Sequence, residues 1–220
     1  MNNENIINVD FGDVKFQSYD LKKFLSDNFK AREMGPTEDV LKYAIECHKA
    51  FPPMKSRDLI PPWFVDDHPL RRCHGINKIV HSGFLIRAPF DIHLKNFLIN
   101  PFDSKFLDGF PVEPEEIPMV FKLLTPWMIK SEKKYDVLFV QPSYHFRGGV
   151  NYRIQSGFLS IDKLEGYEAE MKRNPEIEDW QRDPFGEQVN PLFTVDKHED
   201  ENTVVFKQGY PILQILVCKR

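Results

Sequence analysis

From Gly83 onward the chain is cut into short stretches rich in β-branched and aromatic residues, punctuated by Pro or Gly: GFLIRAPFDIHL, MVFKLLTPWMIK, YDVLFVQP, VNYRIQSGFLSI and NPLFTV. Proline lacks the amide hydrogen that a helix interior needs, and β-branched side chains fit a pleated surface, so this spacing favours a sandwich, jelly roll or distorted barrel over a helical bundle. With 41% hydrophobic residues and 19 Phe, the chain has enough apolar surface to bury a sizeable core in one body.

The last stretch, FKQGYPILQILVCKR, narrows the expectation further. Thr203 to Phe206 reads as a strand, Gln208-Gly209 as a bend with Gly209 at positive φ, and Pro211 as an extended restart, so a hairpin is predicted. Ile212, Leu213, Ile215, Leu216 and Val217 are interrupted only by Gln214, which is too continuously apolar for a one-sided surface strand. The final strand is expected to cross the core and to surface at Lys219-Arg220.

Organisation differs before residue 52. YDLKKFLSDNFKARE puts Leu21, Phe24, Leu25 and Phe29 on one helical face, and TEDVLKYAIECHKAF does the same with Val40, Leu41, Ala44, Ile45 and His48. Gly35-Pro36 separates these two amphipathic helices, with Thr37 as N-cap and Glu38 and Asp39 in the first turn. Residues 1–51 are therefore expected to be a helical N-terminal extension, able to associate with another chain or with itself. Residues 52–82 read as a proline-rich strap with a short helix, five prolines between Pro52 and Pro69 excluding a long one, and Trp63 and Phe64 pinning it. Residues 83–220 form the β-rich body. Within it, Asp162 to Glu187 carries nine carboxylates against four basic residues and reads as a polar surface insertion.

A formal charge of −4 supplies no general attraction to nucleic acid. Three cysteines, Cys47, Cys73 and Cys218, are too few for a disulfide framework and suit a reducing compartment. The opening MNNENIINVD lacks the basic and apolar regions of a secretory signal, and no apolar run reaches the roughly 18 residues that a membrane helix requires. The expected location is cytoplasmic, in a host cell, or virion-associated.

Five motifs in order, DLIPPWF, CHGINKIVHSGFLIRAPFDI, TPWMIKSEKKYDVLFVQP, SGFLSID and GYPILQILVCKR, resemble an uncharacterised family of bacteriophage and bacterial proteins over roughly residues 55–220. That resemblance implies a phage origin and no particular chemistry. GFLSID (Gly157 to Asp162) and GYPILQI (Gly209 to Ile215) are also similar to strand motifs of the β-clip fold of dUTPases and dCTP deaminases. The chain departs from that pattern where a serine-bearing phosphate motif is expected, reading HFRGGVNYRIQSG, and in lacking a glycine-rich tail after Arg220. The fold expectation is thus mainly β, of β-clip, jelly-roll or distorted-barrel type, with the helical N-terminal extension.

Candidate chemistry is fragmentary. Cys47-His48 and Cys73-His74 offer four zinc-competent side chains, but adjacent residues point in different directions, whereas structural zinc sites use spaced pairs. Free thiols without metal are expected. His198-Glu199-Asp200 has no histidine after it to complete an iron triad. Ser143 and His145 flank Tyr144 without a nucleophile elbow, Glu170 to Lys172 reads as a solvated helix face rather than a nuclease strand, and Asp66, Asp67 and His68 read as a turn before Pro69. In the loop near residues 147–153, Gly148 and Gly149 with Arg147 and Arg153 have the composition of an anion cradle, with backbone amides and guanidinium groups as donors.

The residues together read as a phage-associated binding or assembly protein without an established catalytic activity, needing no cofactor, whose partner is a protein or a second copy met through the N-terminal helices. The alternative is a nucleotide-processing enzyme of the dUTPase-like class, using magnesium, Asp162 to orient water and the Arg147 to Arg153 loop to hold phosphate.

Overall fold

The computed structural model describes residues 6–18, 38–60, 64, 69–95, 99–101, 119–131, 133–142, 152–161, 187–195 and 204–219. The chain starts with β1 (Asn8–Asp10) and β2 (Val14–Ser18), followed by helix α1 (Glu38–Ala50), β3 (Met54–Lys55), a 3-10 turn at Ser56–Asp58, another at Pro69–Arg72 and helix α2 (His74–Val80). Strands then dominate: β4 (Phe84–Arg87), β5 (Ile92–His93), β6 (Ile99–Pro101), β7 (Met119–Leu123), β8 (Trp127–Ser131), β9 (Tyr135–Val140), β10 (Tyr152–Ile154), β11 (Gly157–Ser160), β12 (Glu187–Gln188), β13 (Leu192–Val195), β14 (Val204–Phe206) and β15 (Pro211–Lys219). The molecule is mainly β, in keeping with its short interrupted apolar runs. Among the described residues, no helix is long and apolar enough to cross a membrane.

The strands pair in the orders β1-β2-β8-β12, β10-β13-β7-β6 and β11-β9-β15-β4-β3, with a two-stranded ladder of β14 and β5. Every sheet contributes side chains to one apolar cluster, including Phe16, Trp127, Phe193, Ile92 and Leu213. β15 lies between β9 and β4 and is buried from Pro211 to Ile215, half-buried at Leu216 and Val217, and exposed at Cys218 and Lys219. The final strand therefore crosses the core and surfaces at its cationic end.

Its local partner differs from the hairpin expected. β14 pairs with β5, and β15 with β4 and β9, so the bend at Gly209 carries the chain from one ladder to another. The bend itself is as anticipated, with Gly209 at φ 76°. Its amide donates to the Ala88 carbonyl at 2.8 Å and the Ala88 amide donates to Tyr210 at 2.9 Å, so the turn runs alongside the segment joining β4 to β5. Both sides bend together, which satisfies their backbone groups without β14 and β15 facing each other.

The helical N-terminal extension requires correction. Residues 8–10 and 14–18 are strands, and β2 pairs with β8 from Val14 opposite Ser131 to Ser18 opposite Trp127. In VKFQS, Val14 and Phe16 alternate with Lys15 and Gln17, and burial keeps the same period of two through Ser18, with Phe16 only 1% exposed. The expected helix over Leu21 to Phe29 lies outside the described residues. α1 does form where the second amphipathic pattern falls, but Ala44, Cys47 and His48 are buried, so this part of its face is covered by the protein's own body. Phe64 in the proline-rich segment is 2% exposed, with Arg71 over its ring at 5.7 Å.

Candidate functional site

Gly83 stands at φ 73°, and a Cβ there would overlap the Ile215 carbonyl oxygen, so only glycine lets α2 and β4 meet so close to β15. Gln214, the single polar residue in the buried run, holds this junction: its Nε2 donates to the carbonyl oxygens of Ile79 at 2.8 Å and Ser82 at 2.9 Å, with Ser56 Oγ at 3.4 Å. A buried amide is tolerable in a core strand because its donors are met by carbonyls at and just after the helix end, Ile79 O also accepting from the Ser82 amide at 3.1 Å. Ser56 in turn donates its amide to Gly83 O at 3.0 Å, fixing the turn after β3 against the start of β4.

These contacts build one wall of an open cleft of about 860 Å³. Phe84, Ile79, Leu216 and Val217 supply apolar lining, while Lys55, Arg57, Lys78 and Lys219 bring four cations from four different elements. Among the described residues, the one carboxylate in the lining is Asp13. Lys133 Nζ lies 2.7 Å from Asp13 Oδ2, and Tyr135 donates its hydroxyl to the same oxygen at 3.2 Å. The Lys133 hydrogen bond, aided by Tyr135, holds the Asp13 carboxyl below the usual carboxylate range, so it stays ionised and matched to Lys133. Lys55 lies over the Phe11 ring at 5.6 Å, and among the described residues Arg57 makes a long 3.8 Å contact with exposed Asp58. Among the described residues, Lys78 and Lys219 have no carboxylate partner. A cleft with this balance presents positive potential over an apolar surface.

The residues singled out from sequence fall elsewhere. Arg153 is on β10, opposite Thr194 and exposed, and does not line the cleft. Its partners in the expected anion cradle, Arg147, Gly148 and Gly149, lie outside the described residues, as do Asp162, Ser143, His145, Glu170, Asp66, Asp67, His68 and His198. Cys47 is buried in α1, whereas Cys73 and His74 are exposed at the start of α2; all three cysteines are free, and no group of three or more His, Cys, Asp or Glu is placed to hold a metal among the described residues. Of the cleft cations, only Lys219 carries a signal in the sequence, as a cap on the last strand. Gln214 carried the other local signal, a lone polar residue in an apolar run.

His48 has a structural consequence instead. It is 3% exposed, sits edge-on to Trp127 with ring centroids 6.2 Å apart, and neither ring nitrogen has a hydrogen-bond partner among the described residues. Burial pushes its pKa down to about 3, from an ordinary 6.5. Between those values the unfolded chain takes up a proton that the native chain refuses, so stability should fall as pH drops from 6.5 towards 3, by a total on the order of 3–5 kcal/mol. Urea unfolding at a series of pH values should show this slope in the native protein and a flatter one in His48→Leu; identical slopes would mean that His48 titrates normally.

Compared with known proteins, the chain matches no family model, no curated protein and no solved structure. The fold and cleft define a mainly β protein with a cationic, apolar-floored groove. Neither the phage-family resemblance nor the β-clip resemblance is identified by these comparisons.

Proposed function

We propose that this is a binding protein whose cleft beside β15 accepts an anionic ligand. The observation that carries this reading is the convergence of Lys55, Arg57, Lys78 and Lys219 on one apolar groove in which the only lining carboxylate among the described residues is already matched by Lys133. The protein's overall charge of −4 makes such a local excess of cations notable, because it runs against the average of the surface. A binding or assembly role, in a phage or host-cell setting, is supported by such a groove to the extent that partners are steered by complementary charge.

Calorimetric titration of the full chain with inorganic triphosphate, nucleotides and acidic peptides, at low and at raised salt, tests the reading. At least one anion should bind, weaken as salt rises, and lose at least about tenfold in affinity in Lys78→Glu/Lys219→Glu, whose two positions are exposed and should leave the fold intact. Failure of every anion, or binding indifferent to the double substitution, would remove it. The alternative of a nucleotide-processing enzyme rests on Arg147, Arg153 and Asp162. Pyrophosphate release from nucleotides with magnesium, abolished in Asp162→Asn, would favour that enzyme instead.

A further inference from the structure

The edge of β15 that borders the cleft narrows the ligand class. β9 pairs with β15 from Gln214 to Lys219, whereas β4 pairs with its other side only from Pro211 to Ile215. β4 begins at Phe84 because the chain turns at Gly83, so Leu216 to Lys219 have no strand on that side among the described residues. Successive residues of a strand direct their backbone amide and carbonyl to alternate sides, and an unpaired stretch offers those groups to another strand. Leu216, Val217 and Lys219 of this stretch also line the cleft.

We propose, resting on the anion-binding reading above, that the occupant is an extended acidic segment of a partner protein, added as a strand to this open side of β15. Strand addition draws affinity from backbone hydrogen bonds and specificity from side chains that alternate between two faces. An incoming strand alternating apolar and acidic residues would set the first against Leu216 and Ile79, the latter 39% exposed, and the second, on the opposite face, towards Lys219 and Lys55. The positive charge is spread over β3, the turn after it, α2 and β15, a distribution that suits a series of carboxylates better than one compact phosphate. Phe11 is a poor platform for a nucleobase, since its ring already meets Phe84 at 4.8 Å and Lys55 at 5.6 Å. Charge also argues against a second copy pairing through the same edge, because that would bring Lys219 and Lys78 of each chain towards those of the other.

Fluorescence anisotropy with the full chain at low salt separates these possibilities. The probes are a labelled peptide alternating Glu and Val, the same peptide N-methylated at alternate residues, a Lys and Val counterpart, inorganic triphosphate, and single-stranded oligothymidylate. The Glu and Val peptide should bind and lose at least about tenfold in affinity both on N-methylation and in Lys78→Glu/Lys219→Glu, while the Lys and Val peptide should not bind. Equal binding of the N-methylated peptide would overturn strand addition. Triphosphate or oligonucleotide binding that depends on Lys78 and Lys219, without peptide binding, would keep the anion cleft and sink the strand proposal. Failure of every anion would remove both. A dimer by light scattering that dissociates in Lys219→Glu would make the occupant a second copy and overturn the acidic partner. Unchanged melting of the double variant confirms that each loss is one of binding.

Discussion

Deletion of Ile212 to Arg220 is expected to leave a chain that does not fold. Ile212 is 2% exposed and Leu213 and Ile215 are fully buried, and each large aliphatic side chain removed from such a site costs roughly 2–5 kcal/mol. Against a total stability of about 5–15 kcal/mol for an ordinary domain, three such losses are already decisive. The deletion also removes the strand between β9 and β4, leaving both without their shared partner, and it removes Gln214, so the carbonyls of Ile79 and Ser82 lose its side-chain hydrogen bonds. Expression of the shortened chain, followed by circular dichroism on heating, should give insoluble protein or no cooperative transition. A soluble protein with a sharp melt would show that the core closes without β15.

Removal of residues 1–51 should be nearly as damaging, although their amphipathic patterns suggest a separable arm. Phe16 is 1% exposed and Val14 4%, and β2 covers one side of β8 along its whole length from Trp127 to Ser131. Ala44 and His48 are also buried, with His48 against Trp127, so the truncation uncovers a fully buried tryptophan as well as a strand edge. Loss of a buried Phe alone costs roughly 3–5 kcal/mol. The truncated protein should therefore aggregate or melt without cooperativity, and size-exclusion chromatography with light scattering would detect this. A monodisperse, cooperatively melting product would restore the arm and confine the core to the later strands.

Much of the local architecture follows from the sequence by itself. Short β-branched runs broken by Pro and Gly determined a mainly β molecule; the period of α1 was readable from Ala44 and His48; Gly209 marked its bend; and the apolar run ending in Lys219 foretold a core strand that surfaces. Each depends on interactions between residues close in the chain, such as side-chain periodicity and backbone freedom. VKFQS carries a strand's alternation as well, but five residues are too short a signal to stand out beside the longer amphipathic patterns that follow.

Tertiary structure alone decided which strands meet. Nothing near Gly209 says that β14 pairs with β5 while β15 pairs with β4, because either arrangement satisfies the same local turn. The cleft depends on the same long-range choice. Lys55 and Arg57 are two residues apart, but Lys78 and Lys219 lie far from them and from each other in the chain, and the four converge because β15 pairs beside β4, Gly83 permits close backbone approach, and Gln214 ties α2 to the strand. Strand pairing is selected by the burial of apolar faces across the whole molecule, so a site assembled at the ends of paired strands becomes legible only once those faces have found one another.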